Sequence, residues 1–264
     1  MENEKIDYKK SLGQNFLFDT NLLKAIVKDG DVGANDVVIE IGAGAGTLTN
    51  ELCQVAKKVV AFEIDRSLQP LLDKVKDANP NLELVFGDFM DFDLTNLQYN
   101  DMRVVANIPY YITTPIIFKL IEKIEKFKSI LVLIQKEVAE RFCAKPNSKE
   151  YGITSVILQS IFDVSIPRIV KKECFTPSPK IDSALCKLVP NDKYNIVDFE
   201  GFKNLIHQSF AMRRKTLINN LKNNYDKQKV EKVLNELGYP ATVRPEQISV
   251  DNFVKIYEKL NWWF

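Results

Sequence analysis

The chain has 264 residues, 45% of them hydrophobic and 27% charged, with a formal net charge of +1. This is the make-up of an ordinary soluble globular protein, long enough for one large domain or for one domain with an appendage. No stretch approaches the ~20 apolar residues that a membrane span needs, so a membrane partner is not expected.

The balanced total hides an asymmetry. Residues 30–135 carry 10 Lys/Arg against 15 Asp/Glu, a net of −5, whereas residues 201–264 carry 11 against 6, a net of +5. An acidic region followed by a basic one suggests a small-molecule site together with a polyanion-binding surface, the plain alternative being a solvated helical face. Cys53, Cys143, Cys174 and Cys186 are widely separated with no CxxC pair, which argues against a zinc site or any other metal centre. With no signal peptide, they read as reduced thiols of a cytoplasmic protein. The single histidine, His207, reads as a helix-surface residue and not as a catalyst.

Taken in order, residues 2–10 are polar and are expected to be loose. Leu12-Gly13-Gln14-Asn15-Phe16-Leu17 precedes a helix pattern through Leu22, Leu23, Ile26 and Val27, and reads as a segment docked onto the domain. Val37 to Ile41 is short, β-branched and bounded by turn residues, as buried parallel strands are. The loop Gly42-Ala43-Gly44-Ala45-Gly46 follows, and Thr47 to Val55 continues as a helix. Strand, glycine loop and helix put a ligand over the strand's carboxyl end, with Gly42 and Gly44 nearest to it. Thr47 stands where a dinucleotide fingerprint requires Gly or Ala, and Glu40 puts a carboxylate just before the loop. That acid suits an ammonium or sulfonium better than a pyrophosphate.

Val59 to Glu63 is the second strand, and Glu63 lies 21 positions after Gly42, where an acid can accept both hydroxyls of a ribose. Asp65-Arg66 opens an amphipathic helix through Leu68, Leu71, Leu72 and Val75. A third strand, Leu82 to Phe86, ends in Gly87-Asp88, where a carboxylate can meet an adenine amino group. Each acid alone is commonly a helix cap; three successive strand ends bearing glycines, Glu and Asp point to an adenosine-type ligand.

Residues 91–101 are a polar connection to a fourth strand, Met102 to Ala106, which runs into Asn107-Ile108-Pro109-Tyr110. This stretch suits the activation of a planar exocyclic amine, a poor nucleophile whose lone pair is delocalised. The Asn107 side-chain oxygen and the Ile108 carbonyl can each accept one N–H and so favour the tetrahedral nitrogen of the transition state. Pro109 fixes φ and removes a donor, and Tyr110 can stack on a flat substrate. Read blandly, the same residues are a strand end and a proline turn.

A helix from Thr114 to Glu125 and a fifth strand, Ser129 to Ile134, complete a pattern that predicts a doubly wound parallel sheet. Lys145 to Gly152 is a basic, turn-rich loop before an apolar helix pattern. Val164 to Val170 reads as a strand near an edge because of Pro167, and Ser183 to Val189 as the last strand. Between them, Phe175 is held on a stiff loop by Pro177 and Pro179, either as a core plug or as the second face of a base-stacking clamp. Residues 190–198 read as a linker. Helical patterns follow at Phe199 to Phe210, Lys215 to Lys222, Gln228 to Leu237 and Val250 to Leu260. Arg213-Arg214-Lys215 at a helix junction fits phosphate contacts.

The succession LGQNFL, EIGAGAG, FEID, GD, NIPYYITTP, QKEVAERF, PNSKEYG, FTPSPKIDS and RRKT resembles the rRNA adenine N6,N6-dimethyltransferases over nearly the whole chain. PNSKEYG and the helical tail favour the branch acting on two adjacent adenosines of the 3′-terminal hairpin of small-subunit rRNA over the enzymes acting on large-subunit rRNA. Ile108 replaces the usual Leu, and Ala43 a common Pro; both keep the backbone role. The resemblance implies a Rossmann-like α/β methyltransferase domain, residues 1–190, and a small all-helical RNA-binding domain, residues 191–264. It implies S-adenosyl-L-methionine as cofactor, contacted by Asn15, Leu17, Gly42, Glu63, Asp88 and Asn107, and S-adenosyl-L-homocysteine as product. It also implies catalysis at Asn107, Ile108, Pro109 and Tyr110 with Phe175 sandwiching the adenine, on a monomer whose partner is the immature small ribosomal subunit. A glutamine-amide or DNA-adenine methyltransferase would not be expected to carry RRKT with this tail. A ribosome-assembly or transcription factor acting by binding is the non-enzymatic alternative, against which the intact cofactor acids and Asn107 argue.

Overall fold

A computed structural model describes Lys9 and residues 12–261. The polar opening stretch lies outside the described residues except for Lys9. The chain forms two compact units, one comprising the residues up to Ala139 with Ser165–Pro190, the other Glu140–Val164 with Asn191 onward.

The first unit is built on a seven-stranded sheet. Its strands are β2 (Val37–Ile41), β3 (Lys58–Glu63), β4 (Leu82–Phe86), β5 (Met102–Asn107), β6 (Phe127–Gln135), β7 (Phe162–Val170) and β9 (Ser183–Pro190), in the spatial order β4-β3-β2-β5-β6-β9-β7. The first five pair in parallel, and their interior residues (Val38, Ile39, Val59, Ala61, Val104, Val105, Leu131) are fully buried, as a sheet covered on both faces requires. β9 pairs antiparallel with β6, so the sheet is mixed and not wholly parallel as the strand–helix alternation implied. β9 follows β7 with no α-helix between them, and a strand reached without a crossover helix has no reason to be parallel. β7 is the outer strand, the place in a sheet where a proline such as Pro167 is tolerated.

The helices α1 (Thr20–Asp29), α2 (Thr47–Cys53), α3 (Gln69–Ala78) and α4 (Thr113–Ile121) follow the sequence patterns closely. Asp19 caps α1 by accepting from the N–H groups of Asn21 and Leu22. A second, two-stranded sheet was not legible in the sequence: β1 (Phe16–Leu17) pairs antiparallel with β8 (Phe175–Thr176). It closes the apolar core formed by Phe16, Leu17, Leu23, Leu48, Val105, Leu131 and Phe175.

The second unit holds α5 (Lys136–Phe142, from Glu140 on), α6 (Ile153–Gln159), α7 (Phe199–Ser209), α8 (Leu217–Leu221), α9 (Lys227–Glu236) and α10 (Val250–Asn261). Its core includes Phe202, Leu205, Leu221, Leu234 and Phe253, each fully buried. Residues 140–164, expected within the first domain, pack here. The Tyr151 hydroxyl donates to the Ile248 carbonyl at 2.9 Å, and the Asn147 N–H donates to the Glu246 carbonyl at 2.8 Å. The compact unit therefore begins well before residue 191.

Candidate active site

The strand order turns around between β2 and β5, which leaves a crevice outside their carboxyl ends, the usual ligand position in open α/β sheets. A cleft of about 1060 Å³, its open mouth included, occupies that place. It is lined by Gly42 and Gly44 after β2, Glu63 at the end of β3, Asp88 after β4, Asn107 to Tyr111 after β5, and the Leu12–Leu17 segment. Of the expected cofactor and catalytic residues, Asn15, Leu17, Gly42, Gly44, Glu63, Asp88, Asn107, Ile108, Pro109 and Tyr110 all line it.

The glycine loop is shaped by what approaches it. Gly44 has φ +57, and a Cβ there would stand 2.6 Å from the Phe16 ring, so only glycine lets the N-terminal segment close over the loop. Its N–H donates to Glu63 Oε2 at 2.7 Å, while Glu63 Oε1 accepts from the Asp65 N–H at 2.8 Å. Glu63 thus ties the loop to the start of the next helix and keeps a lone pair on each oxygen for a ligand. Burial pushes its carboxyl above the usual range, opposed by those two N–H bonds.

Glu40 is 1% exposed, and its Oε2 has no hydrogen-bond partner among the described residues. Burial, with the nearby Glu63 charge adding to it, raises its carboxyl to about 8; the Thr49 hydroxyl, whose oxygen is also without a formed hydrogen bond, offsets this in part. An unpaired buried acid is costly unless something cationic meets it.

Asn107 is oriented from behind. Its Nδ2 donates to the Asn15 carbonyl at 2.9 Å, so Oδ1 remains as the acceptor. Tyr110 is half-buried, and its hydroxyl shares a 2.6 Å hydrogen bond with Ser183 Oγ. Phe175, which the sequence offers as either a core plug or a stacking face, is 4% exposed, lies opposite Leu17 in the β1–β8 pair and does not line the cleft, the position of a core plug. The aromatic that the sequence reading overlooked is Tyr111, 64% exposed at the cleft mouth. Its position directly after Tyr110 was the available signal. Arg213, Arg214 and Lys215 are exposed in the turn between α7 and α8. Among the described residues no group of three or more His, Cys, Asp or Glu is placed to hold a metal ion, and no helix is long and apolar enough to cross a membrane.

Three carboxylates around a glycine loop disfavour a pyrophosphate and fit a cationic nucleoside, which defines a Rossmann-like methyltransferase using S-adenosylmethionine. The family model described as ribosomal RNA adenine dimethylase matches residues 6–261, and the chain belongs to that family. It is 40% identical over 273 residues to the ribosomal RNA small subunit methyltransferase A of Bacillus mycoides (strain KBAB4), covering 98% of this chain and 94% of that protein. The protein of the same name from Bacillus cereus (strain B4264) is 41% identical, with the same coverage. Among solved structures, a dimethyladenosine transferase from Plasmodium falciparum superposes with a TM-score of 0.80 at 28% identity, over 91% of this chain and 95% of that one. The 23S rRNA methyltransferase ErmE shares the fold, with a TM-score of 0.75 at 24% identity over 94% of this chain and 100% of that one. The chain is an enzyme that methylates ribosomal RNA.

Proposed function

We propose that the chain dimethylates the N6 amines of two adjacent adenosines in the 3′-terminal hairpin of small-subunit rRNA, acting as a cytoplasmic monomer on immature small subunits. The small-subunit choice is supported by the names of the curated relatives. The chemistry is supported by one observation above all, the 2.9 Å bond that ties Asn107 Nδ2 to Asn15 and leaves Oδ1 as an acceptor.

S-adenosylmethionine supplies an electrophilic methyl on a sulfonium sulfur. The residues of the chain bind, orient and shield. Glu63 accepts the ribose hydroxyls, Asp88 the adenine amine of the cofactor, and Glu40 faces its cationic end. Gly42, Gly44, Asn15 and Leu17 close around it. The target adenosine leaves its stack, and its ring lies against Tyr110. Asn107 Oδ1 and the Ile108 carbonyl each accept one N–H of the amine, with Pro109 fixing the turn between them and the ring. Held this way, the amine nitrogen would be presented with its lone pair toward the methyl that the bound cofactor would supply, and its surplus proton would be free to pass to water. Among the described residues no His or Lys lines the cleft, and this chemistry needs no strong base. Phe175 supports the cover through its pairing with Leu17. Arg213, Arg214 and Lys215 bind rRNA phosphates, and the helical unit is the RNA-binding part of the enzyme.

The test is incubation with labelled S-adenosylmethionine and undermethylated small subunits, followed by mapping of modified nucleosides. Label in two adjacent dimethyladenosines is expected. Label confined to large-subunit rRNA, or none, would overturn the reading.

A further inference from the structure

Asp65 is a buried acid for which methyl transfer has no use. It is 3% exposed and opens the turn that leads into α3. As a local cap it needs one oxygen: Oδ1 accepts from the Ser67 N–H at 3.0 Å and from its hydroxyl at 2.6 Å. The remaining contacts reach far back along the chain. Lys9 Nζ pairs with Oδ1 at 2.6 Å, and Gln14 Nε2 donates to Oδ2 at 2.9 Å. Gln14 Oε1 in turn accepts the Lys9 N–H at 2.9 Å. Burial opposes ionisation of Asp65, yet Lys9, Ser67 and Gln14 together pull its carboxyl down to about 2, so the contact stays charged at any physiological pH.

The segment held this way is the outer wall of the cleft, since Leu12 to Leu17 all line it. Its far end is fixed separately. The Asn15 carbonyl holds Asn107, the Leu17 carbonyl accepts from Thr47 Oγ1 at 2.7 Å, and β1 pairs with β8. Gly13, at φ +61, lies so close under the Tyr111 ring that an added Cβ would stand 3.4 Å from it. Asp65 fixes the near end, and its own N–H bonds to Glu63 Oε1, the carboxylate at the ribose position.

We propose that Asp65 is a positioning residue that latches Lys9 and Gln14 so that the Leu12–Leu17 segment covers the cofactor, and that this latch sets how long the cofactor stays bound. The inference rests on the assignment of this cleft to S-adenosylmethionine. Cofactor exchange requires the near end of the cover to lift, and the Lys9–Asp65 ion pair resists that motion. Opening the latch therefore raises the dissociation rate without touching the reacting groups.

Lys9→Met is the cleanest probe, because Lys9 does not line the cleft and its side chain is 39% exposed. Stopped-flow displacement of S-adenosylmethionine by excess S-adenosylhomocysteine is expected to show about three- to tenfold faster release, between the effects of an exposed pair and of a charge-assisted bond to a buried carboxylate. The dissociation constant should rise equally. The single-turnover rate at saturating cofactor should stay as in the wild type. Lys9→Arg should restore slow release, and Asp65→Asn should reproduce the Lys9→Met effect. Unchanged release in both Lys9→Met and Asp65→Asn, with weakened binding in a Glu63→Ala control, would overturn the latch alone. Unchanged binding in Glu63→Ala as well would overturn the cleft assignment beneath it.

Discussion

Replacing Glu40 by Gln should make the protein more stable, and increasingly so as pH rises. Glu40 is fully buried, and its carboxyl is raised from 4.5 to about 8. The folded state therefore binds this proton more tightly than the unfolded chain does. Stability contributed by the protonated form is present below pH 4.5 and is lost as pH climbs through about 8. Each pH unit of that window corresponds to ~1.4 kcal/mol, so the full loss is on the order of a few kcal/mol. Gln cannot ionise, so urea titrations should show the variant's advantage growing by roughly 2–3 kcal/mol between pH 6 and 9. A flat difference would refute the buried-acid argument. The cofactor provides the second arm. At pH 7 a group with its pKa near 8 is ~90% protonated, and a cation arriving at Oε2 ionises it. Calorimetric titration of S-adenosylmethionine in buffers of different ionisation enthalpy should detect release of about 0.9 proton at pH 7, absent in Glu40→Gln. Equal proton release by the two proteins would remove Glu40 from the cation's surroundings.

Asn107→Ala should cut single-turnover methylation by about a hundredfold or more, the scale for losing one preorganised group at the reacting centre, while RNA binding by filter assay changes little; equal losses would count against its role in holding the amine. Phe175→Leu keeps an apolar side chain in the core and should retain most activity, whereas Phe175→Ala should cost about 3–5 kcal/mol of stability in denaturant titrations. Loss of activity in a stably folded Phe175→Leu would revive the ring as a stacking face. Replacing Arg213, Arg214 and Lys215 together by Ala should make the slope of log affinity for small subunits against log salt shallower by roughly two to three units, with cofactor affinity unaltered; an unchanged slope with full methylation would exclude the cluster from the RNA interface.

The parallel core was readable because each strand is a short β-branched run that ends in turn residues, and a parallel strand needs a crossover helix that announces itself in the periodicity. The place of Glu63 on the cleft wall was readable from its offset alone. What stayed hidden depends on partners far apart in the chain. Two-residue strands such as Phe16–Leu17 and Phe175–Thr176 carry no period, so their pairing could not be seen beforehand, and nothing local chose between the core-plug and stacking readings of Phe175. Asp65 looked like an ordinary helix start because its bond to Ser67 is ordinary; only the fold brings Lys9 and Gln14 to it. The helix Ile153–Gln159 is apolar enough for any core, and its periodicity does not say which unit it joins.

The charge division along the sequence acquires a physical meaning at the site. Glu63 and Asp88, joined by Glu40 once a cation ionises it, give the cleft a negative field that favours a cationic cofactor and opposes RNA phosphates. A nucleobase is neutral, so that field does not hinder a flipped adenine, and it disfavours entry of the backbone to which the adenine is attached. Backbone binding then has to come from elsewhere in the chain, and the region with an excess of Lys/Arg, residues 201–264, has the sign of charge that the proposed RNA-binding role requires. Separating the two tasks lets each keep its own sign of charge. It also separates their response to salt, because exposed Arg213, Arg214 and Lys215 are screened whereas the buried Glu63 is screened much less. An enzyme arranged this way loses RNA affinity with rising ionic strength while its grip on the cofactor persists.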